Sequence, residues 1–200
     1  MKAALTAGLI FQSWLASLVM PRQWRKFEKR TSKLFKRFGV DIFHTIDVKR
    51  TDKDFRRWSV DRKIEFLDEF QHIINETLEL GFASILKQED YDYYRNLQCP
   101  RKARKDSKYT IMFRGCLAAA IDGAGSIQEW RYGKEPKLNI VLESGHDNAP
   151  DAMRLYNFFK DRVPSSALSG LTFESKGDSL SLAAADLFAY PIRRHEFFVL

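Results

Sequence analysis

The chain has 200 residues, 44% hydrophobic and 14% aromatic. That is enough for one domain with a real core, and 16 Phe exclude a disordered chain. Lys and Arg number 33 against 26 Asp and Glu; the net charge of +7 favours polyanionic partners such as nucleic acid. The two cysteines, Cys99 and Cys116, lie in no metal-type spacing and suit a reducing compartment such as the cytoplasm.

The opening run "AALTAGLIFQSWLASLVM" carries no charge, as an export signal or membrane anchor would. A signal cleavage site wants small residues at alternate positions, and Leu15 stands where one belongs. A spanning helix needs about 20 mostly apolar residues. Here Thr6, Gly8, Gln12, Ser13 and Ser17 dilute the run, and Pro21 ends it. The expectation is a buried strand near residues 3–11, a turn around "QSWLAS", and no membrane association.

"PRQWRKFEKRTSKLFKRF" predicts a helix over 21–38, with Pro21 at its first position and Gly39 as its stop. Trp24, Phe27, Thr31, Leu34, Phe35 and Phe38 make one apolar face. Eight Lys or Arg fill most of the remainder, against one acid, Glu28. "VDIFHTIDV" predicts a short strand or extended segment. "SVDRKIEFLDEFQHIINETLELG" predicts a helix with Ser59 as N-cap and Gly81 as stop. Its expected buried stripe is Ile64, Leu67, Phe70, Ile73 or Ile74, Thr77 and Leu78. "FASILK" predicts a strand, residues 88–106 a polar, tyrosine-rich loop, and "YTIMFRGCLAAAIDGAG" a central apolar helix.

The last third alternates. "KLNIVLE" predicts a strand buried on both faces, "APDAMRLYNFFKDR" a helix, "LTFES" a strand, and "DSLSLAAADLFAYPIRR" a helix capped by Asp178 or Ser179. Strand–helix alternation without repeats or linkers implies an α/β layer fold in one domain over residues 1–200.

Two acids stand in suggestive places. Glu143 ends a strand, where α/β folds build their sites. Asp186 lies on a helix whose Ala183, Ala184, Ala185 and Ala189 permit close packing, so it needs a partner. That partner is either a metal or, structurally, Arg193, Arg194 or Lys176. His44 and Asp47 can line the same cleft or serve as ordinary hydrogen-bonded groups. His146 and Asp147 follow Glu143 in the same loop. His72 and His195 have no functional context. Asp178 is a helix cap first and a metal ligand second. Arg25, Lys29 and Lys33 on the basic helix, with Arg101 and Lys102, are candidate phosphate contacts. Tyr91, Tyr93 and Tyr94 are candidates for stacking on bases.

"NIVLESGHDNAPDAMRLYNFFKD" and "TFESKGDSLSLAAADLFAY" resemble the C-terminal half of the domain-of-unknown-function family number 3800. That family's pattern has an apolar strand ending in an acid, then F-x-x-K, then L-Q-x-A-D-L-x-A-Y. "DIFHTIDVKRTDKDFRRWSVDRKIEFLDEF" is similar to its Phe-His segment, followed by Trp and a long helix. The resemblance covers nearly the whole chain. It implies a ribonuclease H-like mixed sheet flanked by helices, and an acid cluster, here Glu143 and Asp186, holding Mg or Mn for cleavage of nucleic-acid phosphodiesters.

Two departures stand out. Ala183 replaces the family's Gln, and its first strand, ending in Asp-Glu-Ser-Gly, is expected to be absent, with "AALTAGLIF" its second. The resulting expectation is a metal-dependent nuclease-like protein, impaired by the missing acid. The alternative is a catalytically silent nucleic-acid-binding or protein-interaction domain of the same fold.

Overall fold

The computed structural model describes residues 16–18, 21–78, 80–82, 84–97, 106–132, 138–163 and 168–193. The strand expected near 3–11 lies outside them. Ala16–Leu18, which includes the end of the expected turn, is instead a short strand, β1.

Helix α1, Pro21–Phe38, begins and ends where the sequence places it. Gly39 takes φ +73, its N–H reaching Lys36 O at 3.4 Å and that of Val40 reaching Phe35 O at 2.9 Å. This pair of bonds closes the helix, and a residue without a Cβ adopts that backbone at least cost. Phe27, Thr31, Leu34, Phe35 and Phe38 are buried, as their spacing requires.

The segment after α1 departs from expectation. Residues 41–44 carry no helix or strand, but Thr45–Arg50 is a helix, α2, followed by a 3₁₀ turn over Lys53–Phe55. Helix α3, Val60–Thr77, is capped by Ser59, whose hydroxyl accepts the Arg62 N–H at 3.2 Å. The helix stops at Thr77, ahead of the expected Gly81. Its buried stripe is Phe66, Phe70, Ile73, Ile74 and Thr77, and Ile64 faces solvent. Phe35, Phe38, Phe43, Phe55, Trp58, Phe66 and Phe70 interlock, with ring centroids between 4.8 and 6.3 Å apart. This is the first core, and Ala183 and Ala184 of the last helix belong to it.

Strand β2 is Leu80–Phe82, antiparallel to β1 with Ser17 opposite Gly81. Residues 84–87, expected as part of a strand, have no regular structure, and Gln88–Asn96 is a helix, α4, rather than a loop. Helix α5, Lys108–Tyr132, buries Tyr109, Met112, Phe113, Cys116, Leu117 and Ala120. Burial pushes the Cys116 thiol up to about 11.

Strands β3, Leu138–Glu143, and β4, Leu168–Glu174, pair in parallel and are joined through α6, Ala149–Lys160. Only Leu138 and Leu142 of β3 are fully buried, while Asn139 and Glu143 are exposed, so one face is covered rather than two. Leu138, Leu142, Leu155, Tyr156 and Leu168 form the second core with α5. Helix α7, Leu180–Arg193, packs on α1, α2 and β3 and so lies against both.

The chain thus has mixed α/β content and is mostly helical. Among the described residues, the strands pair as two separate ladders of two, and a continuous mixed sheet is not formed. No helix among them is long and apolar enough to cross a membrane.

Candidate functional site

Glu143 and Glu174 face each other in register at the ends of β3 and β4. Beyond Glu143 the chain turns through Gly145, at φ +81, and the Ser144 N–H donates to Glu174 O at 2.8 Å. Beyond Glu174 comes a closed turn. The Ser175 hydroxyl donates to Asp178 Oδ2 at 2.6 Å, and the N–H groups of Asp178 and Ser179 both reach Ser175 O at 3.1 Å. The turn sends Lys176 inward, leaving its side chain only 13% exposed.

Lys176 Nζ is the hub of the site. It donates to Asp186 Oδ2 at 3.2 Å and lies 3.7 Å from Glu143 Oε2. It also bonds His44 Nδ1 at 2.9 Å. Asp186 Oδ2 takes the Thr45 N–H at 3.2 Å as well, and lies 3.6 Å from His44 Nδ1. Asp186 therefore ties α7 to the start of α2. Two carboxylates share one ammonium.

Three residues singled out in the sequence, Glu143, Asp186 and His44, are thus brought together from β3, α7 and the segment before α2. Asp47 goes elsewhere: buried on α2, it pairs with Lys53 Nζ at 2.7 Å. Asp178 is exposed and holds the turn through Ser175. His146 lies among the rings of Tyr109 and Phe173, at 5.4 and 6.0 Å, and Asp147 is exposed. His72 pairs with Glu76 at 3.0 Å, and His195 lies outside the described residues. Sequence reasoning placed Lys176 only among possible partners of Asp186. The signal that marks it is the Lys of the F-x-x-K element.

Magnesium and manganese take hard oxygen donors and are often held by one or two carboxylates plus substrate oxygens. Glu143 and Asp186 supply such donors, and both reach toward one positive atom, Lys176 Nζ. Among the described residues no three His, Cys, Asp or Glu side chains gather as a metal site.

Arg25, Lys29 and Lys33 are exposed on α1, with Lys26 and Lys36, and none of the five enters an ion pair among the described residues. Arg30 and Arg37 instead pair with Glu76 and Glu69 of α3. The Arg30 hydrogen bond holds the Glu76 carboxyl below the usual carboxylate range. Between the two helices lies a groove of about 260 Å³ lined by Arg30, Lys33, Arg37 and His72 together with Glu69 and the apolar Leu34 and Ile73. Arg101 and Lys102 lie outside the described residues. Tyr91, Tyr93 and Tyr94 sit on α4, where the Tyr91 hydroxyl donates to Asp106 O at 3.2 Å.

Compared with protein-family models, with curated proteins and with solved structures, the chain gives no match.

Proposed function

We propose that the chain is a phosphodiesterase-type protein of the ribonuclease H-like class, in the family its motifs resemble, directed at nucleic acid. The convergence of Glu143 and Asp186 on one cationic point beside His44 carries this reading. Two acids from a strand end and a helix, far apart in sequence, come together where a phosphodiester could be held. Glu143 and Asp186 would hold one Mg or Mn ion, which when bound would polarise a phosphoryl oxygen and activate water. The exposed cations of α1 supply a sequence-independent grip on phosphates.

The test is incubation with Mn²⁺ and end-labelled single- and double-stranded nucleic acid, beside Asp186→Asn. Cleavage is expected to fall by at least about 10–100-fold, the range seen when even the outer partners of a metal are disturbed. Cleavage that survives the substitution removes Asp186 from the site. A second reading, a silent nucleic-acid-binding domain, draws on Lys176 sitting between the acids. Absence of cleavage with salt-sensitive binding retained selects it.

A further inference from the structure

We propose that the outer face of α1 binds the phosphate backbone of duplex nucleic acid without reading its bases, and that Glu69 and Glu76 of α3 hold back two of its cations and so limit how many phosphates it reaches. This deepens the nucleic-acid part of the reading above, on which it rests, and needs neither a metal nor cleavage. At about 100° per residue, Arg25, Lys26, Lys29, Arg30, Lys33, Lys36 and Arg37 fall within an arc of about 140° around the helix. From residue 25 to residue 37 every position in that arc is Lys or Arg, and Glu28, the one acid of α1, lies outside it. Arg30 and Arg37 form the edge of the arc beside α3, where they pair with Glu76 and Glu69. Arg25, Lys26, Lys29, Lys33 and Lys36 are exposed and enter no ion pair among the described residues. Five cations are thus free for phosphates, in a row about 17 Å long at 1.5 Å per residue.

The rings of α1 decide the kind of partner. Proteins that bind single strands combine a cationic track with exposed rings on which bases stack. Here Phe27, Phe35 and Phe38 are buried in the first core, and Trp24 is half-buried with its ring 6.2 Å from that of Phe27. Tyr93 is exposed, but it stands on α4 and not in the basic row. A row of cations without rings contacts phosphates alone. A duplex offers them at fixed positions, one charge per about 1.7 Å of its axis. A single strand gives up its freedom to lie along a rigid helix and gains no stacking in return. An anionic membrane fits no better. A basic amphipathic helix binds one by sinking its apolar face into it, and that face of α1 is already packed against α3 and α7.

The experiment measures fluorescence anisotropy of a short labelled duplex, and of one of its strands alone, over a salt series in EDTA. The unaltered chain is expected to bind the duplex at least roughly tenfold tighter than the strand, about what one missing base stack costs. The logarithm of its affinity should fall with the logarithm of salt at a slope of about −4 to −5, from about 0.9 for each of five contacts. Replacing Lys29→Gln, Lys33→Gln and Lys36→Gln together should flatten the slope by about one per lysine. Glu69→Gln with Glu76→Gln frees Arg37 and Arg30 and should steepen it by up to about two. Each variant is checked for folding by circular dichroism, and the comparison of duplex with strand needs no variant at all.

The proposal is overturned if the strand, or vesicles of anionic lipid, bind the unaltered chain as tightly as the duplex does. It is equally overturned if the folded lysine variant keeps the original slope, or if the folded glutamate variant shows no steeper one. Because EDTA removes divalent ions, binding is read apart from cleavage. Duplex binding as expected, with no cleavage in any form, would sink the phosphodiesterase reading alone. Asp186-dependent cleavage, with duplex affinity indifferent to the α1 lysines, would sink this inference alone.

Discussion

Phe66 and Ile64 stand two positions apart on α3 in opposite surroundings. Phe66 is fully buried, its ring 5.4 to 5.9 Å from those of Phe35, Phe38, Phe43, Phe55 and Trp58, whereas Ile64 is 51% exposed. Phe66→Ala is expected to cost about 3–5 kcal/mol, because these five rings and that of Phe70, 6.1 Å away, lose a common neighbour and cannot close the gap. Ile64→Ala should stay within about 0.5 kcal/mol. Urea melts followed by tryptophan fluorescence compare the two, and an equal loss in both would place the stripe where the sequence reading had it. The expected stripe meets the observed one at Phe70, Ile73, Ile74 and Thr77, and differs in the first turns, where Ile64 and Phe66 both stand at helical spacing from Phe70 or Leu67. What decides between them is the direction from which α1 and residues 38–58 approach, and that is a tertiary fact. The site divides the same way. Glu143 and Asp186 were legible from a strand end and a crowded helix, and His44 from its place in the Phe-His segment. Lys176 was legible only as one of three possible cationic partners of Asp186, because a lysine in a turn has no periodicity to say whether it points inward.

Helices α1 and α3 were legible as elements because they carry both a stripe and punctuation: Pro21 and Gly39 for one, Ser59 for the other. Ser59→Ala is expected to lower stability by about 1 kcal/mol, since the Arg62 N–H loses its acceptor, while Ser59→Asp should keep most of it. A thermal melt of the two variants checks this, and equal loss in both would mean that the side-chain cap contributes nothing. Helix α4 escaped notice because it buries no residue outright, so no apolar stripe announces it. Its ends are nonetheless charged in the favourable sense, with Glu89 and Asp90 in the first turn and Arg95 in the last. Helix α2 was misread because six residues are too few to show a helical period, and the β-branched Thr45, Ile46 and Val48 suggest a strand. Its first N–H is taken by Asp186, 141 residues away in sequence, so the start of this helix is fixed by a contact that local sequence does not contain.

At the scale of the whole molecule, α7 is the piece on which the two cores and the site all depend. Ala183 and Ala184 sit in the aromatic core with α1 and α3, the same helix packs on β3, and Asp186 binds both Lys176 and the start of α2. Small residues at 183 and 184 set how closely the helix approaches, and so where Asp186 lies. Enlarging one of them should therefore disturb the site without touching any of its charges. Ala184→Leu is expected to cost about 1–3 kcal/mol by overpacking. It should also shift the imidazole resonances of His44, whose Nδ1 faces Asp186 at 3.6 Å. Those of His72, paired with Glu76 on the outer face of α3, should stay where they are. Ile64→Ala, on the surface of the same core, is the control and should move neither ring. If Ala184→Leu destabilises the chain but leaves His44 unmoved, the cluster is held by β3 and the Lys176 turn alone, and α7 only fills space between the cores. If both change together, the spacing of α7 is what brings a carboxylate, an ammonium and an imidazole to one point.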